Sequence, residues 1–352
     1  MNKLSENCYN SQLARNESKL KLWRNAGFLL TYKCPAACEF CYYNCGPDKS
    51  GLMPLETALS AWRSLMDLAD NNPKIHITGG EPFLYYDHLA ELMTRTKELK
   101  LTPPDLIETN GFWASDKKII SERLKFLDSA GMKRLKVSWD PFHAEYIDPE
   151  PVKLLAETAA EILGTQRVLV RWEKYLQEPV SKIREVSKIQ RLNLYKSAIA
   201  DYPIRFTGRA SEMLADLWPS KPAESFTENC KQDFLAAKGI HIDPYGNVFS
   251  GQCSGIIIGN VNQTPLDVMW KQFDPQKREV LDSLFTAGPS GLLPKAFKAG
   301  YQLKSSYSDK CHLCSELRQF FFDIGMFNSI IGPCDCYQSS PQKIKEKVLV
   351  KE

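Results

Sequence analysis

The 352-residue sequence lacks the features of a membrane or secreted protein. It has no run of roughly eighteen apolar residues, which a membrane-spanning helix needs. Its N-terminal segment lacks the basic start, apolar centre and small-residue cleavage site of a signal peptide. An excess of one charge is also missing, because 45 Lys and Arg stand against 42 Asp and Glu. These absences favour a cytoplasmic location and predict neither a membrane nor a nucleic acid as partner.

The composition is that of a folded globular chain. Hydrophobic residues make up 43% of the sequence and charged residues 25%, and an aromatic content of 11% is too high for a disordered chain. The length allows about two domains and a core large enough to fold without disulfides.

Cysteine is the one residue type present in unusual number. In a reducing compartment, eleven cysteines indicate metal binding or catalysis more than a disulfide framework. Apart from Cys8, they form two groups, and no cysteine lies between Cys45 and Cys230. The first group contains Cys34, Cys38, Cys41 and Cys45, and the second contains Cys230, Cys253, Cys311, Cys314, Cys334 and Cys336. Two groups indicate two sites.

Short apolar runs alternate with helical patterns in the first part of the chain, as in βα units that build a parallel sheet. The clearest helix begins at Leu55, where apolar residues recur with helical period as far as Ala69. Six βα units are too few to close an eight-stranded barrel. We therefore predict an α/β fold with a partial (β/α)6 TIM-like barrel whose active site lies at the carboxyl ends of the strands. The six predicted strands are 28–30, 75–77, 106–107, 135–137, 168–170 and 204–206.

The composition of the sequence changes at the Pro-rich, polar stretch 219–227. Beyond it, Asp243-Pro-Tyr-Gly246 fits a type I turn that joins two strands into a hairpin. Residues 264–287 and 314–328 have helical patterns. We predict a small C-terminal α+β domain that binds a cluster. The predicted division is an N-terminal extension 1–24, the barrel 25–218, the C-terminal domain 219–338 and a solvated tail 339–352.

Three cysteines of the first group directly follow the first predicted strand, in Cys34-Pro-Ala-Ala-Cys38-Glu-Phe-Cys41. A structural zinc or a complete four-iron cluster would need a fourth protein ligand. Three ligands leave one metal position open for a substrate or cofactor. Two alternatives stay open at this point: Cys45 completes the set, or the cysteines are unrelated buried thiols.

The Cys-x3-Cys-x-Phe-Cys pattern, followed by Gly79-Gly80-Glu81-Pro82 after the second strand, resembles the radical S-adenosylmethionine (SAM) superfamily. The resemblance covers about residues 25–210. It implies that Cys34, Cys38 and Cys41 hold a 4Fe-4S cluster and that SAM chelates the fourth iron. It further implies that the cluster reductively cleaves SAM to a 5'-deoxyadenosyl radical, which abstracts hydrogen from a substrate.

The same resemblance implies a set of cofactor-binding residues at the strand ends. Glu81 would offer an ionised acceptor to the amino group of SAM, and Arg171 would bind its carboxylate. An ordinary structural or surface role is the alternative for each residue. The full set is Phe40, Gly79, Gly80, Glu81, Asn110, Ser138 and Arg171. The tripeptide Gly208-Arg209-Ala210 also occurs in similar form in relatives with a C-terminal cluster domain.

The spacing of Cys230, Cys253, Cys311 and Cys314 is similar to that of the twitch domain, the short form of the SPASM domain. This resemblance implies one auxiliary 4Fe-4S cluster on these four residues. A structural zinc is the alternative, because two distant cysteines plus Cys-x2-Cys also suit tetrahedral zinc. A full SPASM domain would need further cysteines soon after Cys314, and only Cys334 and Cys336 follow.

The expected activity is hydrogen abstraction from a ribosomal peptide or protein side chain, with an electron donor such as flavodoxin or ferredoxin as partner. A small sugar-like or nucleotide substrate is the alternative within the enzyme class. An iron-sulfur electron-transfer protein is the alternative outside it. Asp140 or His143 could act as a base, and the sequence assigns no catalytic residue.

Overall fold

The computed structural model describes residues 3–177, 186–237 and 239–338, and the predicted solvated tail lies outside them. The strands are β1 (Asn25–Leu29), β2 (Lys74–Thr78), β3 (Leu106–Thr109), β4 (Leu135–Ser138), β5 (Val168–Arg171), β6 (Gly239–Ile242), β7 (Asn247–Ser250) and β8 (Ile257–Asn260). The helices are α1 (Leu55–Leu68), α2 (Tyr86–Glu98), α3 (Lys117–Ser129), α4 (Pro149–Leu163), α5 (Glu173–Gln177), α6 (Lys188–Asp201), α7 (Arg209–Met213), α8 (Lys231–Leu235), α9 (Leu266–Gln272), α10 (Glu279–Ala287), α11 (Leu293–Lys298) and α12 (Lys310–Asp323).

The described strands form one open sheet in the order β5-β4-β3-β2-β1-β6-β7-β8. Strands β1 to β5 are parallel to one another, β6 is parallel to β1, and β7 and β8 are antiparallel additions. The sheet does not close. This arrangement confirms the predicted α/β fold with an open, parallel-dominated barrel.

Burial explains why the short apolar runs become strands. Helices cover the parallel sheet, so side chains such as Phe28, Ile77 and Val137 are completely buried. Helix α1 presents the predicted apolar face, and its Trp62 stacks on Phe28 with ring centroids 5.5 Å apart. No helix in the described part of the chain is both long and apolar enough to cross a membrane.

The predicted sixth strand at 204–206 is wrong, because this segment makes no strand pairing. The run has only three residues, and the side chain of Arg205 turns to Asp233 instead, with an N–O distance of 3.3 Å. The next parallel strand is β6, which pairs with the opposite edge of the sheet at β1. The predicted hairpin is confirmed as β6 and β7, and it continues the barrel sheet.

The two predicted C-terminal helices need correction. The segment 264–287 is divided into α9 and α10 by a short 3-10 turn that begins at Pro275, because proline removes a backbone donor and cannot continue a helix. The helix predicted at 314–328 is α12. It begins earlier because the Asp309 side chain caps the backbone N–H of His312 at 2.6 Å, and it ends before Gly325, whose φ is 72°.

Candidate active site

The loop between β1 and α1 carries the first cysteine group to the carboxyl ends of the parallel strands. Cys34, Cys38 and Cys41 line one cavity there, which we call the first cavity. The same cavity is lined by every residue that the sequence predicts for cofactor binding: Phe40, Gly79, Gly80, Glu81, Asn110, Ser138 and Arg171. Residues that are distant in sequence therefore meet at the position predicted for an active site.

Arg209 holds the cysteine loop in place. Its guanidinium donates to the carbonyl oxygens of Cys38 at 2.9 Å and Cys45 at 2.7 Å, and its backbone N–H donates to the carbonyl of Cys41 at 3.0 Å. The sequence showed the tripeptide that contains Arg209 but gave it no role. Its position as the first residue of the short helix α7 directs the guanidinium back to the loop.

We expect Arg209→Met to lower by more than half the amount of iron that the first cysteine group would bind. The variant removes two charge-assisted hydrogen bonds, each worth about 1.5 to 3 kcal/mol, from a loop that must hold three thiolates in register. Iron and sulfide are measured after anaerobic reconstitution. Arg278→Met is the matched control, because Arg278 also donates to a backbone carbonyl, of Ile258 at 3.0 Å, but lines neither cysteine cavity. Full iron loading of Arg209→Met would contradict a role in the loop.

The Gly-Gly-Glu loop packs directly on the chain that leads into the cysteines. The backbone N–H of Gly80 donates to the carbonyl of Thr31 at 2.7 Å, and that of Glu81 donates to the carbonyl of Lys33 at 3.0 Å. A Cβ at position 80 would lie 2.1 Å from the Lys33 carbonyl oxygen. Glycine at this position therefore permits the close approach of two backbones, one of which continues directly into Cys34.

Glu81 is 1% exposed and connects the ends of two strands. Its Oε1 accepts from Phe83 N at 3.1 Å and from Thr109 Oγ1 at 2.8 Å, and its Oε2 accepts from Asn110 N at 2.8 Å. Burial nevertheless raises the pKa of this carboxyl to about 7. A further donor, such as an amino group in the cavity, would favour its ionised form.

The remaining strand ends supply polar groups to the same cavity. The side-chain amide of Asn110 lies 3.5 Å from Cys34 Sγ. Arg171 lies with its guanidinium carbon 4.5 Å from the ring centroid of Trp172 and 5.9 Å from that of Phe40. Among the described residues, no carboxylate lies within ion-pair distance of Arg171. Its charge is therefore available to an anionic group in the cavity.

His143 also lines the first cavity, and a buried carboxylate fixes its orientation. Its Nδ1 lies 2.6 Å from Asp140 Oδ2, while Asp140 Oδ1 accepts from the backbone N–H of Phe142 and of His143. Of the two residues considered as bases, His143 thus lines the cavity and Asp140 positions it.

The cysteines without an assigned role lie in different surroundings. Cys45 lines the first cavity beside Cys41. A hydrogen bond from Cys45 and the nearby Arg209 guanidinium lower the pKa of the Cys41 thiol. Cys336 is buried 3.4 Å from Tyr32 Oη, whereas Cys334 is exposed. Neither of them lines a cavity with the other cysteine groups.

Cys230, Cys253, Cys311 and Cys314, the auxiliary cysteines, line a second cavity. Cys230 directly precedes α8, Cys253 lies between β7 and β8, and the other two occupy the first turns of α12. Across the described ranges, no three His, Cys, Asp or Glu side chains are placed to hold a single metal ion. Four cysteine ligands suit a complete four-iron cluster, and they equally suit a structural zinc.

Comparison with known proteins identifies the part of the chain that contains the first cavity. Residues 28–160 match the model of the radical SAM superfamily. YydG from Bacillus subtilis (strain 168), a candidate peptide biosynthesis protein, is 31% identical over 133 residues, which are 36% of this chain and 39% of YydG. The GTP 3',8-cyclase of Aquifex aeolicus (strain VF5) is 29% identical over 149 residues, or 40% of this chain and 41% of the cyclase. The chain thus spans about two fifths of the length of these relatives.

Two solved structures are similar at low identity. The structure of BtrN with AdoMet and 2-DOIA has a TM-score of 0.47 and 15% identity, and it covers 77% of this chain and 90% of BtrN. The structure of anSMEcpe with AdoMet and the Cp18Cys peptide has a TM-score of 0.42 and 16% identity, and it covers 85% of this chain and 97% of anSMEcpe. The matched residues 28–160 include Cys34, Cys38, Cys41 and the Gly-Gly-Glu-Pro loop, so this part of the chain is similar in sequence to the radical SAM superfamily.

Proposed function

We propose that this protein is an enzyme that reductively cleaves SAM at a 4Fe-4S cluster held by Cys34, Cys38 and Cys41. The observation that carries the proposal is that these three cysteines share one cavity with the Gly-Gly-Glu loop and the polar ends of β3, β4 and β5. The donor set fits such a cluster, since three thiolates leave one iron without a protein ligand. With SAM bound, the cluster would supply a 5'-deoxyadenosyl radical for hydrogen abstraction.

The residues of the chain would bind and orient SAM in the first cavity. Glu81 accepts a hydrogen bond from the amino group, and Arg171 offers its guanidinium to the carboxylate. Phe40 provides an aromatic surface for the adenine, while Asn110 and Ser138 offer hydrogen bonds to the ribose or the methionine part.

We also propose that the auxiliary cysteines hold a second 4Fe-4S cluster. The convergence of all four on one cavity supports this. With four protein ligands, such a cluster has no open iron. Its proposed role is therefore electron transfer to or from the substrate, with flavodoxin or ferredoxin as the donor to the enzyme. The proposed division remains 25–218 for SAM cleavage and 219–338 for the auxiliary site.

A ribosomal peptide or protein side chain is the proposed substrate. The similarity to YydG supports a peptide. The similarity to a GTP 3',8-cyclase supports the second candidate, a small nucleotide or sugar-like substrate. An electron-transfer protein would explain the cysteines, but it would not require an incomplete ligand set beside Glu81 and Arg171.

One anaerobic experiment tests the proposed function. Reconstituted protein is analysed for iron and sulfide, reduced with dithionite and incubated with SAM, and 5'-deoxyadenosine and methionine are quantified. We expect both products at equal amounts. Iron without SAM cleavage would indicate an electron-transfer protein instead. Addition of candidate peptides or of GTP, with mass analysis of each, then distinguishes the two substrate classes.

We expect Glu81→Gln to weaken SAM binding roughly ten-fold or more, because a charged hydrogen bond contributes about 1.5 to 3 kcal/mol. The dissociation constant is measured by anaerobic equilibrium dialysis. Asp243→Asn is the matched control. Asp243 is also buried, its pKa is also raised by burial, to about 6, and it also accepts backbone N–H groups, but it does not line the first cavity. Unchanged affinity in Glu81→Gln would mean that Glu81 only connects β2 to β3.

A further inference from the structure

The second cavity contains an unusual buried cation. Arg318 lies on α12 one turn beyond Cys314, is 5% exposed and lines the cavity together with the auxiliary cysteines. A guanidinium cannot lose its proton in a protein, so this side chain carries a full positive charge in the interior. Such a charge is costly to bury unless an anion accompanies it.

The described structure gives Arg318 no carboxylate. Its Nη1 donates to the carbonyl of Ser254 at 2.7 Å and to Tyr337 Oη at 3.2 Å. Its Nη2 donates to the hydroxyls of Thr207 and Ser315, both at 3.3 Å. All four acceptors are neutral, and Nε is buried without a hydrogen-bond partner. Four hydrogen bonds orient the guanidinium, but none of them offsets its charge.

The other charged side chains of the cavity do not supply the missing anion. Arg205 and Lys310 both pair with Asp233, at 3.3 Å and 3.0 Å, so one carboxylate already serves two cations. The charged lining of the cavity is therefore three cations and one anion. The chain also makes space for the guanidinium, because a Cβ on Gly255, whose φ is 80°, would lie 2.9 Å from Arg318 Nη1. The chain thus forms a specific site for a cation beside the four auxiliary cysteines.

We propose that Arg318 is the fixed positive charge that offsets an anionic iron-sulfur cluster on the auxiliary cysteines and raises its reduction potential. The inference rests on the proposed auxiliary cluster. Four thiolates give such a cluster a net negative charge, and its one-electron reduction adds another. Net charge and hydrogen bonding are among the properties that set the potential of a cluster. A nearby fixed cation stabilises the more negative, reduced state. Arg318 is a positioning residue in this sense, since it acts through the cluster.

Redox titration of the reconstituted protein, followed by electron paramagnetic resonance, tests this inference. We expect Arg318→Gln to shift the midpoint potential of the auxiliary cluster to more negative values by at least about 59 mV, which is a tenfold change in the equilibrium constant for a one-electron couple. Arg318→Lys, which keeps the charge, should stay much closer to wild type. Arg205→Met removes a cation from the same cavity that already has a carboxylate partner, and it should shift the potential less than Arg318→Gln.

Each other outcome would overturn the inference. Equal shifts in Arg318→Lys and Arg318→Gln would show that hydrogen-bond geometry, not charge, sets the potential. A shift of the midpoint potential in Arg205→Met as large as that in Arg318→Gln would show that Arg318 affects the potential no more than a paired cation does. If both Arg318 variants lose the second set of irons, the residue shapes the site without tuning it. Failure of the proposed auxiliary cluster itself can be distinguished from these outcomes, because wild-type protein would then contain only the irons of the first group.

Discussion

Replacing Cys34, Cys38 and Cys41 together with alanine is expected to abolish SAM cleavage completely. The three thiols are the only cysteines other than Cys45 that line the first cavity within the described ranges. Without them Cys45 is the one cysteine left among the described lining residues, which is too few to hold a four-iron cluster, so no electron would reach the sulfonium of SAM. The measurement is 5'-deoxyadenosine produced per protein under reducing, anaerobic conditions.

Two variants make this experiment specific. Cys8→Ala is the matched control, because Cys8 is half-buried, donates its thiol to the carbonyl of Gln272 and lies outside both cavities, and it should cleave SAM like wild type. Cys45→Ala tests whether Cys45 completes the ligand set. We expect it to retain iron and SAM cleavage, because in the proposed function SAM would supply the remaining ligands. Persistent cleavage in the triple variant would refute the assignment of the three cysteines.

The first cavity could be predicted from the sequence because each of its parts is a short motif or a polar residue at the end of a predicted strand. The cysteine loop follows β1, Gly79 to Glu81 follow β2 and Asn110 follows β3, while Ser138 and Arg171 are the last residues of β4 and β5. Parallel strands place all their carboxyl ends at one edge. Once the strands were located, the meeting of these residues followed from topology, although their distances did not.

The sequence predictions that were wrong or missing concern contacts between distant segments of the chain. A three-residue run at 204–206 has the apolar ends of a strand, but whether it pairs depends on what lies beside it, and β1 pairs with β6 instead. Arg209 and Arg318 act through side-chain contacts with loops far away in sequence. No periodicity or spacing indicates such contacts, and an arginine on a helix usually lies in solvent.

The second large effect concerns the number of irons. On the proposed assignment, Cys34, Cys38 and Cys41 hold one four-iron cluster and the auxiliary cysteines supply four ligands for one more, so fully loaded protein should contain about eight irons. Cys334 and Cys336 line neither cavity, so their replacement with serine should leave this number unchanged. About twelve irons in wild-type protein, falling on that replacement, would instead mean that these two residues help to hold a third cluster.

Replacing Cys311 and Cys314 with alanine should halve the iron content, leave part of the SAM cleavage and stop product formation. Both residues lie on the first turns of α12, and through the second cavity they connect this helix to the β7–β8 segment at Cys253 and to Cys230. The free energy of metal binding at such a site is also folding free energy, so the thermal midpoint of the variant should fall as well. SAM cleavage persists because the first cavity has its own ligands, whereas product formation stops if the substrate electron leaves through the auxiliary site. If wild-type protein contained zinc at the auxiliary cysteines in place of four irons, this prediction would be wrong and the auxiliary site would be structural.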